Sequence, residues 1–288
     1  MSRTVSKAAT AGARVPVART RKTTAGAGKA APRGKASAAG RGVQDISPAR
    51  RAQLDAGAPA SNLTECLAVD FAALMAAAVP QAGADAAEAL RAAAGQGISR
   101  RMALAGAMLL ERLGPAGFES LREHASDTVR GWACFMAGAM PGLELEARLR
   151  LIRPLADDAH FGVREWVWMA LRPGLAAELR RSVALLTPWT KEPSERLRRF
   201  ASESLRPRGV WCAHIAELKA DPDIGLPLLT PLRADPSVYV QDSVANWLND
   251  ASKDQPDWVR GVCARWQADA PAEATLRICR RALRTVGA

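Results

Sequence analysis

Residues 156–173, ADDAHFGVREWVWMALRP, place an acid, a base and two tryptophans on one short helical unit. Read as a helix from about Ala159, the residues Val163, Trp166, Val167, Ala170 and Leu171 recur at helical spacing and form one apolar stripe. Glu165, Trp168 and Arg172 fall on the opposite face, because successive residues turn by about 100°. This spacing predicts Trp166 in the core and Trp168 outside it. An exposed Trp beside an acid and an Arg has the composition of a binding surface. A carboxylate can take a proton from water or steady a developing cation. An electron-rich indole face attracts a positively charged ring.

Other chemistry finds little support. The five cysteines, Cys66, Cys134, Cys212, Cys263 and Cys279, are far apart and form no C-x-x-C. With only His124, His160 and His214 besides, no structural zinc site is expected. Scattered cysteines in a helix-rich chain fit buried small hydrophobes in a reducing compartment. No nucleophile–base pair or phosphate loop stands out, and the histidines read as structural or exposed.

The elements that position these residues repeat along the chain. A turn with Asp or Pro, an apolar anchor, usually an Arg, and then an apolar-periodic helix recur in five segments. These are SDTVRGWACFMAGAM, HFGVREWVWMALRP, SERLRRFASESLRP, SVYVQDSVANWLND and, more weakly, EATLRICRRALRTV. The anchors Val129, Val163, Leu197, Val240 and Leu276 are separated by 34, 34, 43 and 36 residues. Helix pairs at this period are the signature of an all-α solenoid of HEAT-like repeats. The outer layer is expected at about 143–154, 175–187, 212–219, 224–233 and 256–267. The long interval leaves room for an extra segment around Trp211–Asp223. Upstream, helices are predicted at 61–80, 83–94 and 98–113, closing one end of the array. No strand-period segment is visible.

Positions two, six and nine after each anchor form polar columns: Glu165, Met169, Arg172; Arg199, Glu203, Arg206; Asp242, Asn246, Asn249. Such columns also arise simply because an inner helix has one wet side. The Arg after each anchor (Arg130, Arg164, Arg198, Arg277) is expected to pair with Asp residues of adjacent turns as a structural ladder. The Arg-Pro endings at Arg172-Pro173 and Arg206-Pro207, answered by Asn249-Asp250, go beyond that simple account.

Charge is divided sharply. Residues 1–51 carry twelve Lys/Arg and one acid, and so hold all of the net +11. Residues 1–45 lack large apolar side chains and read as a disordered basic tail. Such a tail suits contacts with DNA phosphates that carry no sequence information. A solubility tail or a targeting peptide has a similar composition. The helical array then spans 46–288, with N-terminal helices in 61–113 and repeats in 120–288. No run of about 18 apolar residues predicts a membrane span. An Ala/Arg/Gly-rich chain with no convincing secretion signal points to a bacterial cytoplasm, with the nucleoid as the tail's destination.

Three segments carry a resemblance: REWVWMALRP (164–173), RRFASESLRPRGVW (198–211) and DPSVYVQDSVANWLNDASKDQPD (235–257). They resemble the HEAT-like-repeat alkylpurine DNA glycosylases, nearest the AlkC type, over residues 61–288. The resemblance implies a solenoid that cradles double-stranded DNA and excises cationic N3- or N7-alkylated purines. It also implies no metal or redox cofactor and lesion recognition without the usual base flipping; the chain is expected to be a monomer. Some members add a C-terminal immunoglobulin-like domain, and this sequence reads without one.

By motif, Trp211 is similar to the family's aromatic residue after the Arg-Pro segment, and Asp250 to its catalytic carboxylate. Arg198, Arg199, Arg206 and Arg208 are similar to its phosphate-facing residues. Arg172, Asn246 and Asn249 share the same face and join the DNA-binding set. The AlkC type is expected to carry an acid four residues before the first Arg-Pro. Here that place is Trp168, and Glu165 stands one turn earlier on the same face. Asp250 is therefore the first candidate for the catalytic carboxylate and Glu165 the second, with Trp168 and Trp211 against the base or sugar. The plain structural alternatives are that Asp250 caps the turn to Ser252 and that Glu165 pairs with Arg172 or Arg199. Two other functions stay open: a non-catalytic DNA-binding solenoid that recognises damaged or branched DNA, and a protein-interaction scaffold.

Overall fold

A computed structural model describes residues 42–269 and 271–287. Among the described residues there is helix and no strand. The expected tail lies outside them except for residues 42–45, where Val43–Asp45 form a short 3-10 turn. The first helices are α1 (Pro48–Asp55), α2 (Leu63–Ala68), α3 (Phe71–Ala78), α4 (Ala84–Ala92), α5 (Ile98–Leu113) and α6 (Gly117–Arg122). The expected helix at 61–80 is in fact two, α2 and α3. Asp70 breaks the run by capping α3 with its own carboxylate, which accepts from the amides of Ala72 and Ala73.

The repeats follow as α7 (Asp127–Ala139), α8 (Leu145–Ala156), α9 (Phe161–Ala177), α10 (Leu179–Leu186), α11 (Glu195–Glu203), α12 (Ala216–Ala220), α13 (Leu226–Leu229), α14 (Val238–Ala251), α15 (Pro256–Asp269) and α16 (Glu273–Ala282). The helices α5, α7, α9, α11, α14 and α16 pack each on the next as an inner row, and α8, α10, α13 and α15 back them. This is the solenoid expected from the period. The anchors Val129, Val163, Leu197 and Val240 are all buried, as are nearly all residues three, four, seven and eight places on.

The last anchor is corrected by one residue. Leu276 is 46% exposed, while Thr275, Ile278, Cys279 and Ala282 are buried. Thr275 therefore takes the anchor position, and the apolar spacing of α16 follows from it. Arg172-Pro173 does not end its helix either. α9 runs on to Ala177 with the Pro173 ring on the exposed side.

The Arg ladder is present. Arg130 pairs with Asp158, Arg198 with Asp235 and Arg277 with Asp242. Arg164 instead donates to the carbonyls of Asp158 and Ala159 and to the Tyr239 hydroxyl. Arg130, Arg164 and Arg198 stitch their helix starts to neighbouring turns, whereas Arg277 reaches Asp242 inside α14 rather than in a turn.

Candidate active site

The segment between α11 and α12 decides the site. It has no helix, and it folds back over α9. The Ile215 amide donates to the Pro207 carbonyl and closes it as a loop. Arg172, only 2% exposed, reaches into that loop from α9. Its guanidinium donates to the carbonyls of Ser204 (3.0 Å), Arg206 (2.6 Å) and Ala213 (3.1 Å). This is the insertion announced by the 43-residue interval. It also explains why the outward face of α9 is not exposed.

Trp168 is therefore buried, at 3% exposure, and the expectation of an exposed indole is corrected. Its indole N–H donates to Glu165 Oε2 at 2.8 Å. Glu165, Trp168, Met169, Phe161 and Cys66 line a cavity of about 340 Å³ together with Val210 and Trp211 of the loop. Val210 and Trp211 are both about half exposed. Trp211 holds φ of 60°, a conformation that bulky residues avoid. Its carbonyl accepts from the Ser99 hydroxyl at 3.0 Å, which ties the loop to the start of α5. On its other side Trp211 borders a second cavity, of about 540 Å³, with Leu67, Ser99, Arg100 and Arg101.

The Arg100 side chain has no hydrogen-bond or ion-pair partner among the described residues, and Arg101 stacks over Phe71 at 4.7 Å. Burial lowers the Arg101 pKa. Sequence reasoning missed both. They lie outside the repeats, and only the fold brings α5 beside a loop more than a hundred residues away.

Behind the cavity runs an alternating chain of charges. Arg199 pairs with Glu165 (2.9 Å) and Glu203 (3.6 Å), and Arg206 with Glu203 (2.7 Å) and Asp250 (2.8 Å). Lys253 reaches Asp250 at 3.5 Å. Burial alone would raise the Glu203 pKa. The charges of Arg199 and Arg206 outweigh it and leave Glu203 below the ordinary carboxylate range. Burial likewise opposes the charge on Arg199 and Arg206, and their carboxylate neighbours reverse that and raise both. Ser243 donates to Glu203, and Arg199 lies over the Tyr239 ring at 4.3 Å, so α14 holds the chain at two points.

The sequence-derived set thus divides. Glu165, Trp168 and Trp211 meet at one cavity. Asp250 is 4% exposed, does not line that cavity, and is held by Arg206 rather than by the turn to Ser252. Of the two expected partners of Glu165, Arg199 is the one observed.

Each of the residues expected to face phosphates has a partner within the protein. Arg172 and Asn249 are buried, and Asn249 donates to Ala282 and Thr285. Arg198 is committed to Asp235, Arg199 and Arg206 to the buried charge chain, and Arg208 to Asp254. Asn246 accepts from Arg284. Helical phase gives the face a residue occupies, and does not say which protein group already waits there.

A helical-repeat solenoid with a half-open aromatic cavity, a carboxylate in its wall and, nearby, an Arg100 side chain unpaired among the described residues is the frame for comparison. No family model matches the chain. Among solved structures it is similar to the alkylpurine DNA glycosylase AlkC of Pseudomonas fluorescens, bound there to DNA with an abasic-site analogue. The TM-score is 0.62 and the identity 26%, over 86% of this chain and 65% of that one. AlkD2 of Streptococcus mutans shares the fold at TM-score 0.55 and 19% identity, covering 67% and 92% of the two chains. So does smu.31 of Streptococcus mutans UA159, at TM-score 0.50 and 21% identity over 69% and 90%. The resemblance to the HEAT-like-repeat alkylpurine DNA glycosylases thus holds in three dimensions. The uncharacterised protein YhaZ of Bacillus subtilis (strain 168) is 42% identical over 120 residues, 42% of this chain and 33% of that one. The chain spans about a third of that relative's length. Among the described residues no helix is long and apolar enough to cross a membrane.

Proposed function

We propose that this chain is a monomeric DNA glycosylase of a bacterial nucleoid, hydrolysing the N-glycosidic bond of cationic N3- or N7-alkylated purines in double-stranded DNA. The observation that carries the reading is the convergence of Glu165, Trp168 and Trp211 on one cavity, with Arg100 and Arg101 across Trp211. The likeness to AlkC adds the substrate class.

The chemistry asked of the site is modest. An alkylated purine that already carries a positive charge leaves with the glycosidic electron pair as a neutral base. Water attacks the anomeric carbon, and a carboxylate takes the water's proton while steadying the oxocarbenium-like sugar. Glu165 takes this role ahead of Asp250, because it lines the cavity and the Trp168 N–H aims it. Trp211 supplies an indole face for the cationic base or the sugar. Arg100 and Arg101 hold a flanking phosphate and fix register. The charge chain from Arg199 to Asp250 positions Glu165.

A second reading, a non-catalytic DNA-binding solenoid, is favoured by one observation: Glu165 is already paired with Arg199. Release of 3-methyladenine and 7-methylguanine from methylated DNA separates the two. Release by wild type that is lost in Glu165→Gln, with DNA binding kept, supports the glycosylase. Loss in a folded Asp250→Asn alone moves the catalytic role to Asp250. No release by wild type, despite salt-sensitive DNA binding, leaves the binding protein.

A further inference from the structure

Three side chains far apart in the sequence meet beside the aromatic cavity. Cys66 lies in α2, Asp127 is the first residue of α7, and His160 caps α9. Cys66 and Asp127 are buried, and the His160 side chain is 15% exposed. The thiol, one carboxylate oxygen and one ring nitrogen all lie within 4.8 Å of one another. Asp127 Oδ2 is 3.6 Å from Cys66 Sγ and 3.8 Å from His160 Nδ1.

The protons decide what this group is. His160 Nε2 is 2.6 Å from the Ala60 carbonyl oxygen, which can only accept, so Nε2 carries the hydrogen. Nδ1 of the neutral ring is then bare, and it accepts the Gly162 amide at 3.1 Å. Asp127 Oδ1 is occupied by the Ala60 amide at 2.7 Å, which turns Oδ2 toward the other two groups. Nδ1 and Oδ2 thus face each other with no proton between them, and the thiol brings one hydrogen for both. Once the Gly162 N–H and the thiol proton give way, Nδ1, Oδ2 and Sγ offer three donor atoms to one cation in a buried place.

The geometry is close to that of a metal centre. Tetrahedral zinc with bonds of about 2.0 Å to N and O and about 2.3 Å to S has ligand–ligand edges of roughly 3.3–3.5 Å. The two separations from Asp127 Oδ2, 3.6 and 3.8 Å, need to contract by about 0.1–0.5 Å, and that between Cys66 and His160, within 4.8 Å, by up to about 1.3 Å. The outer contacts fit as well. A metal-bound imidazole typically donates its other N–H to a carbonyl, and its carboxylate partner is itself hydrogen-bonded. Here the single residue Ala60 does both, through its C=O and its N–H.

We propose that Cys66, Asp127 and His160 bind a divalent transition ion of the zinc class, with water as the fourth ligand. One nitrogen, one oxygen and one sulfur donor suit such an ion better than magnesium or calcium, which take oxygen. Binding exchanges the thiol S–H for a metal–sulfur bond and releases one proton to solvent, and the Gly162 amide gives up Nδ1. The ion ties α2 to the starts of α7 and α9. Cys66 lines the aromatic cavity, so the ion fixes one of its walls. The trio is not a nucleophilic centre. The thiol meets a carboxylate rather than the imidazole, the reverse of what activates a thiolate. No C-x-x-C spacing announces the group, because its members stand 61 and 33 residues apart.

The test uses the full chain, stripped with a chelator and titrated with Zn2+ or Co2+ alone. The expected result is one ion per chain by elemental analysis, a thiolate-to-cobalt charge-transfer band with tetrahedral d–d bands, and a Tm raised by Zn2+. Cys66→Ser loses the charge-transfer band, His160→Ala weakens Co2+ binding at least about ten-fold, and Cys134→Ser changes neither. No charge-transfer band in wild type overturns the proposal, whatever the variants do. So does a band that survives Cys66→Ser, or affinity unaltered in His160→Ala. Base release plays no part in these readouts, so this inference and the glycosylase reading fail separately.

Discussion

The proposed mechanism asks Glu165 to serve chemistry with a side chain that already holds structure together. One oxygen accepts from Trp168 and the other pairs with Arg199. Gln keeps the size and can still accept from the indole, but it cannot take a proton from water. Glu165→Gln is expected to lower single-turnover release of 3-methyladenine by about 100-fold or more, the usual scale for losing a general base, with DNA affinity kept. Release within about three-fold of wild type removes Glu165 from the mechanism. Trp211 poses the opposite case. Its φ of 60° costs about 1 kcal/mol for an L-residue, and Gly removes that cost. Because the indole is half exposed, little burial is lost with it. Trp211→Gly should therefore keep or raise Tm while lowering lesion release at least about ten-fold. A variant that loses Tm and activity in parallel would make Trp211 a packing residue. Both positions were legible in the sequence as an acid and an aromatic near Arg-Pro motifs. The burial of Trp168 was not, because the loop that covers it enters the chain some forty residues later.

Among elements, the ladder and the close helix crossings carry the stacking. Arg198 and Asp235 share two hydrogen bonds, at 2.6 and 3.0 Å, and both side chains are largely buried. Arg198→Met leaves Asp235 a buried charge without its cation, an arrangement that costs about 3–5 kcal/mol. Calorimetry should show a large fall in Tm. The salt dependence of DNA binding by the folded fraction should stay as in wild type. A shallower salt dependence at unchanged Tm would return Arg198 to the phosphate-binding set. Gly106 lies where α5 crosses α7. A Cβ there would stand 2.6 Å from Phe135 Cβ and 2.7 Å from the Met136 amide nitrogen, both on the facing helix. Gly106→Ala is expected to cost about 1–3 kcal/mol by overpacking, read as a lower urea midpoint at unchanged slope. The period made the inner helices legible, with four anchors of five in register. The outer layer was less so. Residues 175–187 divide between the end of α9 and α10, and 224–233 become α13 between two 3-10 turns. Short, proline-interrupted segments lack the two full turns over which a helical stripe can be read.

Over the whole chain, the proposed function leads to an expected separation of affinity from chemistry, because charge is unevenly distributed. Residues 1–41 carry ten Lys/Arg and no acid, so the remaining residues are nearly neutral. Within the described residues the inner-face arginines read from the sequence as DNA contacts are spent on carboxylates and carbonyls, and few are left for phosphates. Non-specific affinity should therefore come mainly from residues 1–41. Each phosphate neutralised on B-DNA contributes about −0.9 to the slope of log K against log salt. Removing residues 1–41 should then cut the magnitude of that slope by several units and weaken binding steeply at low salt. Single-turnover release at saturating protein should change little, because Glu165, Trp211, Arg100 and Arg101 all remain. Fluorescence anisotropy across a salt series, paired with release assays on the same preparations, measures both. An unchanged slope would mean that cations of the folded array, Arg100 among them, grip the backbone, and it would make the basic stretch a solubility or targeting segment. A fall in saturated release as large as the fall in affinity would mean that residues 1–41 take part in the chemistry, and the cavity around Glu165 would no longer account for it alone.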